Sequence, residues 1–351
     1  MRSEDLIQRT FELAKLGLGR TFPNPMVGAV IVKNQSIIGE GHHKGYGQPH
    51  AEVEAFNNCT ESPEGSTLYV NLEPCCHTNK QTPPCAQRII KEKIKKVVIC
   101  NLDPNPEVNG KGVELLRQNG IEVEYGLLKE EGEKLNEVFF FSQEKRLPFV
   151  HLKLASSLDG KIALPSGESK WITGSASRHF VHELRSQHQA ILVGAETIRK
   201  DDPKLNVRLD HFSGEQPFRI IFTRSGLLPQ SSQVFSDELK SRTIIFTEKK
   251  ANIHLPSENI IVIKDISEAL HCLYERKLIA LFLEGGSHLA TTFLRNQHVN
   301  RLSLFLNPSL LGSGKNAVDD LGITMLDQRP TLQQIESRWM GEDFLLSGRL
   351  K

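Results

Sequence analysis

Leu68-Tyr69-Val70-Asn71-Leu72-Glu73-Pro74-Cys75, followed after a gap of nine residues by Cys85-Ala86-Gln87-Arg88-Ile89, decides how the first part of this chain is read. The opening five residues suit a buried strand. Pro83-Pro84 suits a helix start, where a missing N–H costs nothing and the helix dipole favours a thiolate at Cys85. Upstream, His50-Ala51-Glu52-Val53 opens another predicted helix. One imidazole and two thiolates make three ligands, so a tetrahedral zinc ion would keep its fourth position for water. Zinc lowers the pKa of such a water toward ~7, and a carboxylate two residues from the histidine can pass its proton to a leaving amine. Cys76 and His77 also allow a closed structural site with one of them as fourth ligand. Such a site would have no use for Glu52.

Around this core, apolar positions at 3–4 spacing predict a helix over residues 3–18, capped by Ser3. Residues 27–32 and 36–40 read as a hairpin. Strands at 68–72, 97–100 and 121–125 alternate with helices at 86–93 and 112–119, which implies a largely parallel sheet covered by helices. A helix over 128–141 leads into the charged stretch 142–148, ending in Pro148, which is taken as the domain boundary. The second half alternates again, with strands at 149–155, 190–193, 218–222, 243–247, 259–263, 278–283 and 302–306. Helices at 176–186, 267–276 and 287–296 lie between them, and an antiparallel tail is expected near 335–339 and 344–347.

Composition narrows the function. At ~150 residues per domain, 351 residues suggest two domains, and 38% hydrophobic with 24% charged residues is ordinary for a globular chain. Lys and Arg number 43 against 42 Asp and Glu, so no basic face is demanded and nucleic acid is not expected as a partner. The longest apolar run, residues 278–283, is far short of the ~20 that a spanning helix needs. Acidic residues at Glu4 and Asp5 stand where a signal peptide would be basic and then apolar, so a cytoplasmic protein is expected. Six cysteines, three of them crowded beside His77, point to metal ligation in a reducing compartment. Cys59, Cys100 and Cys272 read as small buried apolar groups.

His-x-Glu followed by Pro-Cys and a second Cys is the pattern of zinc deaminases. Asn24-Pro-Met-Val-Gly-Ala-Val, His50-Ala-Glu-Val, Leu72-Glu-Pro-Cys, Thr82-Pro-Pro-Cys and Asp103-Pro-Asn-Pro resemble the deaminase half of the bifunctional riboflavin-biosynthesis deaminase–reductases. Residues 152–161 (Leu-Lys-Leu-Ala-Ser-Ser-Leu-Asp-Gly-Lys), Ser169-Lys-Trp-Ile-Thr173, residues 194–208 and Glu284-Gly-Gly-Ser resemble the reductase half. The resemblance covers nearly the whole chain. It implies a cytidine-deaminase-like three-layer α/β/α domain over 1–147 and a dihydrofolate-reductase-like α/β domain over 148–351. It also implies two cofactors, Zn2+ and NADPH, phosphorylated pyrimidine substrates, no membrane partner, and a homo-oligomer assembled through the reductase half.

By the same resemblance, His50, Cys75 and Cys85 are expected as zinc ligands and Glu52 as the proton shuttle. Asn24 would hold the pyrimidine ring, with His77 and Lys80 facing the phosphate. Two departures stand out: Cys76 occupies a serine position of the family, and the loop over 77–82 is one residue longer. In the second domain Lys153, Ser169, Arg185, Leu205, Arg208 and Glu284 are expected on the substrate, and Ala155, Trp171, Thr197, Asp201 and Gly286 on the cofactor side. The bland alternatives are a core position for Trp171, a surface helix position for Arg185 and a solvated loop position for Lys80. No G-x-G-x-x-G follows a strand, so Glu284-Gly285-Gly286-Ser287 is expected to present its N–H groups to phosphate. Arg224, just after the strand at 218–222, is assigned to the NADPH 2′-phosphate. Lys153 and Asp201 are the titratable candidates for proton transfer during sugar opening.

Overall fold

Helix α1 (Ser3–Lys15) buries Leu6, Ile7, Thr10, Phe11, Leu13 and Ala14, the face that its spacing predicts. Strand β1 (Gly28–Lys33) passes so close beneath it that a Cβ on Gly28 would lie 2.1 Å from the Thr10 carbonyl oxygen, which only glycine avoids. Ser3 is not the cap. Arg2 holds that position, and the Ser3 hydroxyl meets that of Tyr69 at 3.4 Å.

The computed structural model describes residues 1–76, 83–105, 108–251 and 253–351. They form two units, Met1–Arg146 and Leu147–Lys351. In the first, β2 (Ser36–His42), α2 (Ala51–Asn57), β3 (Thr67–Leu72), α3 (Cys85–Lys91), β4 (Lys96–Asn101), α4 (Lys111–Gln118), β5 (Glu122–Tyr125), α5 (Lys129–Leu135) and α6 (Glu137–Lys145) follow α1 and β1. The sheet order is β2-β1-β3-β4-β5, parallel from β3 to β5, with β1 antiparallel to both neighbours. Ala51, Ala55, Ala86, Ile89, Val113 and Leu116 pack α2, α3 and α4 on one face. Ile7, Phe11, Leu128 and Leu135 cover Val98 and Cys100 on the other, which completes three layers.

The single helix expected over 128–141 is two. Asn136 breaks it because its amide turns inward and spans the N–H and carbonyl of Met26, at 2.8 and 2.9 Å. Most of the charged stretch at 142–148 is the end of α6, not a linker: Ser142 is buried, and the helix stops at Arg146 in a left-handed conformation (φ 54°).

The second unit contains β6 (Phe149–Ser157), β7 (Lys161–Ala163), α7 (Ser175–Ser186), β8 (Ala190–Gly194), α8 (Ala195–Asp201), β9 (Phe218–Thr223), α9 (Gln233–Ser236), β10 (Thr243–Thr247), β11 (Ile260–Val262), α10 (Ile266–Glu275) and β12 (Ala280–Leu283). It ends with α11 (Ser287–Arg295), β13 (Arg301–Asn307), β14 (Lys315–Asn316), β15 (Leu332–Met340) and β16 (Asp343–Leu350). The main sheet runs β11-β10-β9-β8-β12-β6-β13-β16-β15; it is parallel as far as β13, and β16 and β15 are added antiparallel. β7 and β14 pair separately.

Arg219 on β9 is fully buried. Asp237 accepts two of its N–H groups at 2.7 and 2.8 Å and Thr243 a third at 2.9 Å, so the buried charge is compensated. α8, which the spacing did not signal, is a seven-residue helix turning directly off β8 at Gly194.

Candidate functional sites

His50 is the residue before α2, so Glu52 lies in that helix's first turn, while Cys85 is the first residue of α3. Cys75 follows β3 after Glu73 and Pro74. The donor atoms of His50, Cys75 and Cys85 all lie within 4.8 Å of one another. His50 Nδ1 is 3.3 Å from Cys85 Sγ and 3.6 Å from Cys75 Sγ. Zinc–sulfur and zinc–nitrogen bonds of ~2.3 and ~2.0 Å in a tetrahedron imply donor separations of roughly 3.5–3.8 Å, so the three atoms fit a zinc ion with one position left open. The Cys85 N–H donates to Cys75 Sγ at 3.3 Å, and the Ala86 N–H to the Cys75 carbonyl at 3.1 Å. The start of α3 thus stabilises one thiolate and supplies the other.

Glu52 is only 3% exposed. Burial pushes its carboxyl above the ordinary range, and the neighbouring Cys75 adds to this, against a smaller opposing pull from His50. Cys76 is half-buried, packs against the core under the helices, and lies outside the donor group. Burial, then Glu73 and Cys75, pushes its thiol up.

Asn24 donates its side-chain amide to His43 Nε2 at 3.1 Å, which leaves Nδ1 to donate to the Pro49 carbonyl at 3.0 Å. The His43 ring stands edge-on to His50, 5.3 Å between centroids, and burial lowers its pKa. Sequence reasoning missed His43: no ligand or motif spacing marks it, and only the fold sets it between Asn24 and His50. His77 and Lys80 lie outside the described residues.

In the second unit Ser169, Thr197, Asp201, Arg224 and Gly286 line a cleft of about 1010 Å³. The cleft also carries Lys264, Lys315 and His288, which sequence reasoning did not single out. Gly286 precedes α11, and a Cβ there would meet nothing within 4 Å. The adjacent Ser287 hydroxyl is fully buried with no hydrogen-bond partner among the described residues. A roomy cleft that opens on the start of α11 and carries Arg224, Lys264 and Lys315 beside the acidic Glu196, Asp201, Glu248 and Asp265 has the size and the donors for a phosphate-bearing cofactor such as NADPH.

Arg185, in the last turn of α7, is mostly buried and not a surface position; it grips Glu284 with two N–H groups, at 2.5 and 3.0 Å, and donates a third to the Asn206 carbonyl at 2.9 Å. Burial opposes ionisation of Glu284, but Arg185 and then Lys153 outweigh it and hold its carboxyl below the ordinary range. Burial lowers the pKa of Lys153. Burial, then Arg185, lowers that of Arg208, whose guanidinium donates to Asn206 Oδ1 at 2.8 Å. Burial, then Arg185 and Arg208, presses His182 down to about 4. Lys153, Arg185 and Arg208 therefore share one region with the Glu284 carboxylate, an excess of positive charge among the described groups that favours an anion. Leu205 is buried, at φ 48°.

Trp171 is 71% exposed, with the Arg178 guanidinium 4.4 Å from its ring centroid, so it is not a core residue. Ala155 packs against the Phe282–Phe305 cluster. Neither is among the residues lining the cleft.

Comparison with known proteins agrees with this layout. Residues 1–101 match the cytidine and deoxycytidylate deaminase zinc-binding region, and residues 148–346 the RibD C-terminal domain. The riboflavin biosynthesis protein RibD of Actinobacillus pleuropneumoniae is 41% identical over 99% of this chain and 95% of its own. That of Aquifex aeolicus is 40% identical over 98% and 97%. Among solved structures, Acinetobacter baumannii RibD superposes with a TM-score of 0.90 at 36% identity, covering 99% of both chains. A diaminohydroxyphosphoribosylaminopyrimidine deaminase/5-amino-6-(5-phosphoribosylamino)uracil reductase from Thermotoga maritima gives 0.89 at 41% identity, with the same coverage. With a zinc-binding deaminase region ahead of a RibD C-terminal domain, and likeness running the length of both chains, this chain belongs to the RibD family, the bifunctional zinc-dependent deaminases and NADPH-dependent reductases of riboflavin biosynthesis.

Proposed function

We propose that residues 1–147 deaminate 2,5-diamino-6-(5-phosphoribosylamino)pyrimidin-4-one. Residues 148–351 then reduce the ribose of 5-amino-6-(5-phosphoribosylamino)uracil to the ribityl chain. The observation that carries the reading is the open three-donor group of His50, Cys75 and Cys85 beside buried Glu52. Zinc held there supplies a water of lowered pKa. Glu52 accepts a proton on its carboxylate and returns it to the leaving amine, from a buried place in the first turn of α2 two residues from His50. Asn24, held by His43, grips the pyrimidine ring, and by the family resemblance the phosphate is assigned to His77 and Lys80.

In the second domain NADPH supplies the hydride. Arg185 and Arg208 receive the substrate phosphate, with Glu284 fixing the Arg185 fork in one plane. Thr197, Asp201 and Gly286, which line the cleft, are assigned to the cofactor, and Ser169 to the substrate where it meets that cleft; Leu205 on the substrate side, and Ala155 and Trp171 on the cofactor side, rest on the family resemblance alone. Lys153, whose burial makes loss of its proton easier, and Asp201 are the groups that move protons as the sugar opens. The test is one purified chain: stoichiometric zinc, NADPH binding, ammonia release and NADPH oxidation are expected together. Metal without turnover would sink the reading.

Arg224 follows β9 at the rim of the cleft and is assigned to the 2′-phosphate of NADPH. Arg224→Ser is expected to raise the Michaelis constant for NADPH roughly tenfold, about 1.4 kcal/mol of lost contact, with little change for NADH. An unchanged NADPH-to-NADH preference would make the residue a bystander.

The chain is proposed to work in the cytoplasm as a homo-oligomer joined through its reductase half. β15 is a nine-residue edge strand that pairs, among the described residues, with β16 alone, and it leaves Ile335 57% and Trp339 66% exposed. Sedimentation is expected to give a multiple of the chain mass, reduced by Ile335→Asp with Trp339→Asp. A monomeric parent protein would contradict this.

A further inference from the structure

Glu73 is buried, yet it is neither a candidate ligand nor paired with a cation among the described contacts. Its carboxylate accepts three main-chain N–H groups: those of Asp103 at 3.2 Å and Gly110 at 2.9 Å on one oxygen, and that of Val113 at 3.1 Å on the other. All three donors come from the segment that leads into α4 and from its first turn. The Glu73 N–H in turn donates to the Asn101 carbonyl at 2.9 Å, at the end of β4. The joint is tight: a Cβ on Gly112 would lie 2.4 Å from the Pro74 carbonyl oxygen and 2.9 Å from Glu73 Oε1.

One residue, Pro74, separates Glu73 from Cys75, and its ring fixes φ. The main chain that presents the Cys75 thiolate is therefore held from two sides. On one side Glu73 ties it to the start of α4. On the other, the Cys75 carbonyl and sulfur receive the Ala86 and Cys85 N–H groups at the start of α3. We propose that Glu73 is a positioning residue of the metal centre, which aims Cys75 at the metal by gathering the amides of Asp103, Gly110 and Val113. The proposal rests on Cys75 being a ligand. An amide cannot replace the carboxylate, because glutamine would point an NH₂ donor at one of three N–H donors.

The test uses the full chain, with zinc affinity measured by equilibrium dialysis against a chelator and ligand geometry read from the absorption of cobalt(II)-substituted protein. Glu73→Gln is expected to weaken zinc binding about 10–100-fold, the usual effect of losing an outer-shell partner. It should also shift the cobalt bands while the first unit still unfolds cooperatively. Gly112→Ala, which presses on the same joint and leaves every charge in place, should move both readouts in the same direction. A folded Glu73→Gln protein with unchanged affinity and spectrum overturns the proposal. So does loss of the folded first unit in both variants, since the carboxylate would then hold up the unit and not aim a ligand. If the parent protein shows no thiolate-to-cobalt charge transfer, the ligand set itself has failed, a separate outcome.

Discussion

Glu52→Gln is expected to cut ammonia release by about 10²–10⁴-fold, while reduction of the deaminated substrate by NADPH continues at the parent rate. The amide has the shape of the carboxylate and can occupy the same buried place in the first turn of α2. It cannot take up a proton, and that is the property the reaction asks of this side chain. His50, Cys75 and Cys85 are untouched, so the variant should hold its full complement of zinc. The reductase residues all lie in the other unit. Ammonia release and NADPH oxidation, each assayed with its own substrate, check the expectation. A folded, zinc-loaded variant that loses both activities, or keeps deamination, would contradict it.

Replacing Cys75 with serine should remove zinc and deamination together, because a hydroxyl is a far poorer zinc ligand than a thiolate. The same change at Cys76 should spare both. The adjacent thiols differ in surroundings: Cys75 Sγ lies 3.6 Å from His50 Nδ1 and accepts the Cys85 N–H, whereas Cys76 packs half-buried against the core. Metal content of the two purified variants decides the matter: a zinc-loaded Cys75→Ser protein beside a metal-free Cys76→Ser protein would reverse the assignment.

The metal centre was readable in the sequence because its chemistry is written locally. Histidine and glutamate stand two residues apart across the start of α2, and prolines announce the start of α3, so residue types and short spacings suffice. What supports that centre was not readable. His43 receives Asn24 from nineteen positions away and Glu73 receives Val113 from forty, and neither distance leaves a periodic trace. Asn136 looked like a neutral helix position until the fold brought Met26 to its amide, 110 positions away, and broke the helix. α8 is too short for apolar spacing to register over the turn at Gly194. The charged end of α6 looked like a linker because its residues are polar on average, while the buried Phe139 and Ser142 hold it in the unit. Trp171 shows the limit of composition: an aromatic residue usually packs inside, and this one lies open under a guanidinium.

The two edges of the nine-stranded sheet are unequal, three residues at β11 and nine at β15. Joining one long edge to the same edge of another copy uses each surface once and closes on a two-fold axis. Joining β15 to β11 would run head to tail, the geometry of a ring or a growing filament, and three residues offer that route few main-chain bonds. A sheet with one long border and one short border thus favours a finite symmetric pair over open-ended polymerisation before any side chain is considered.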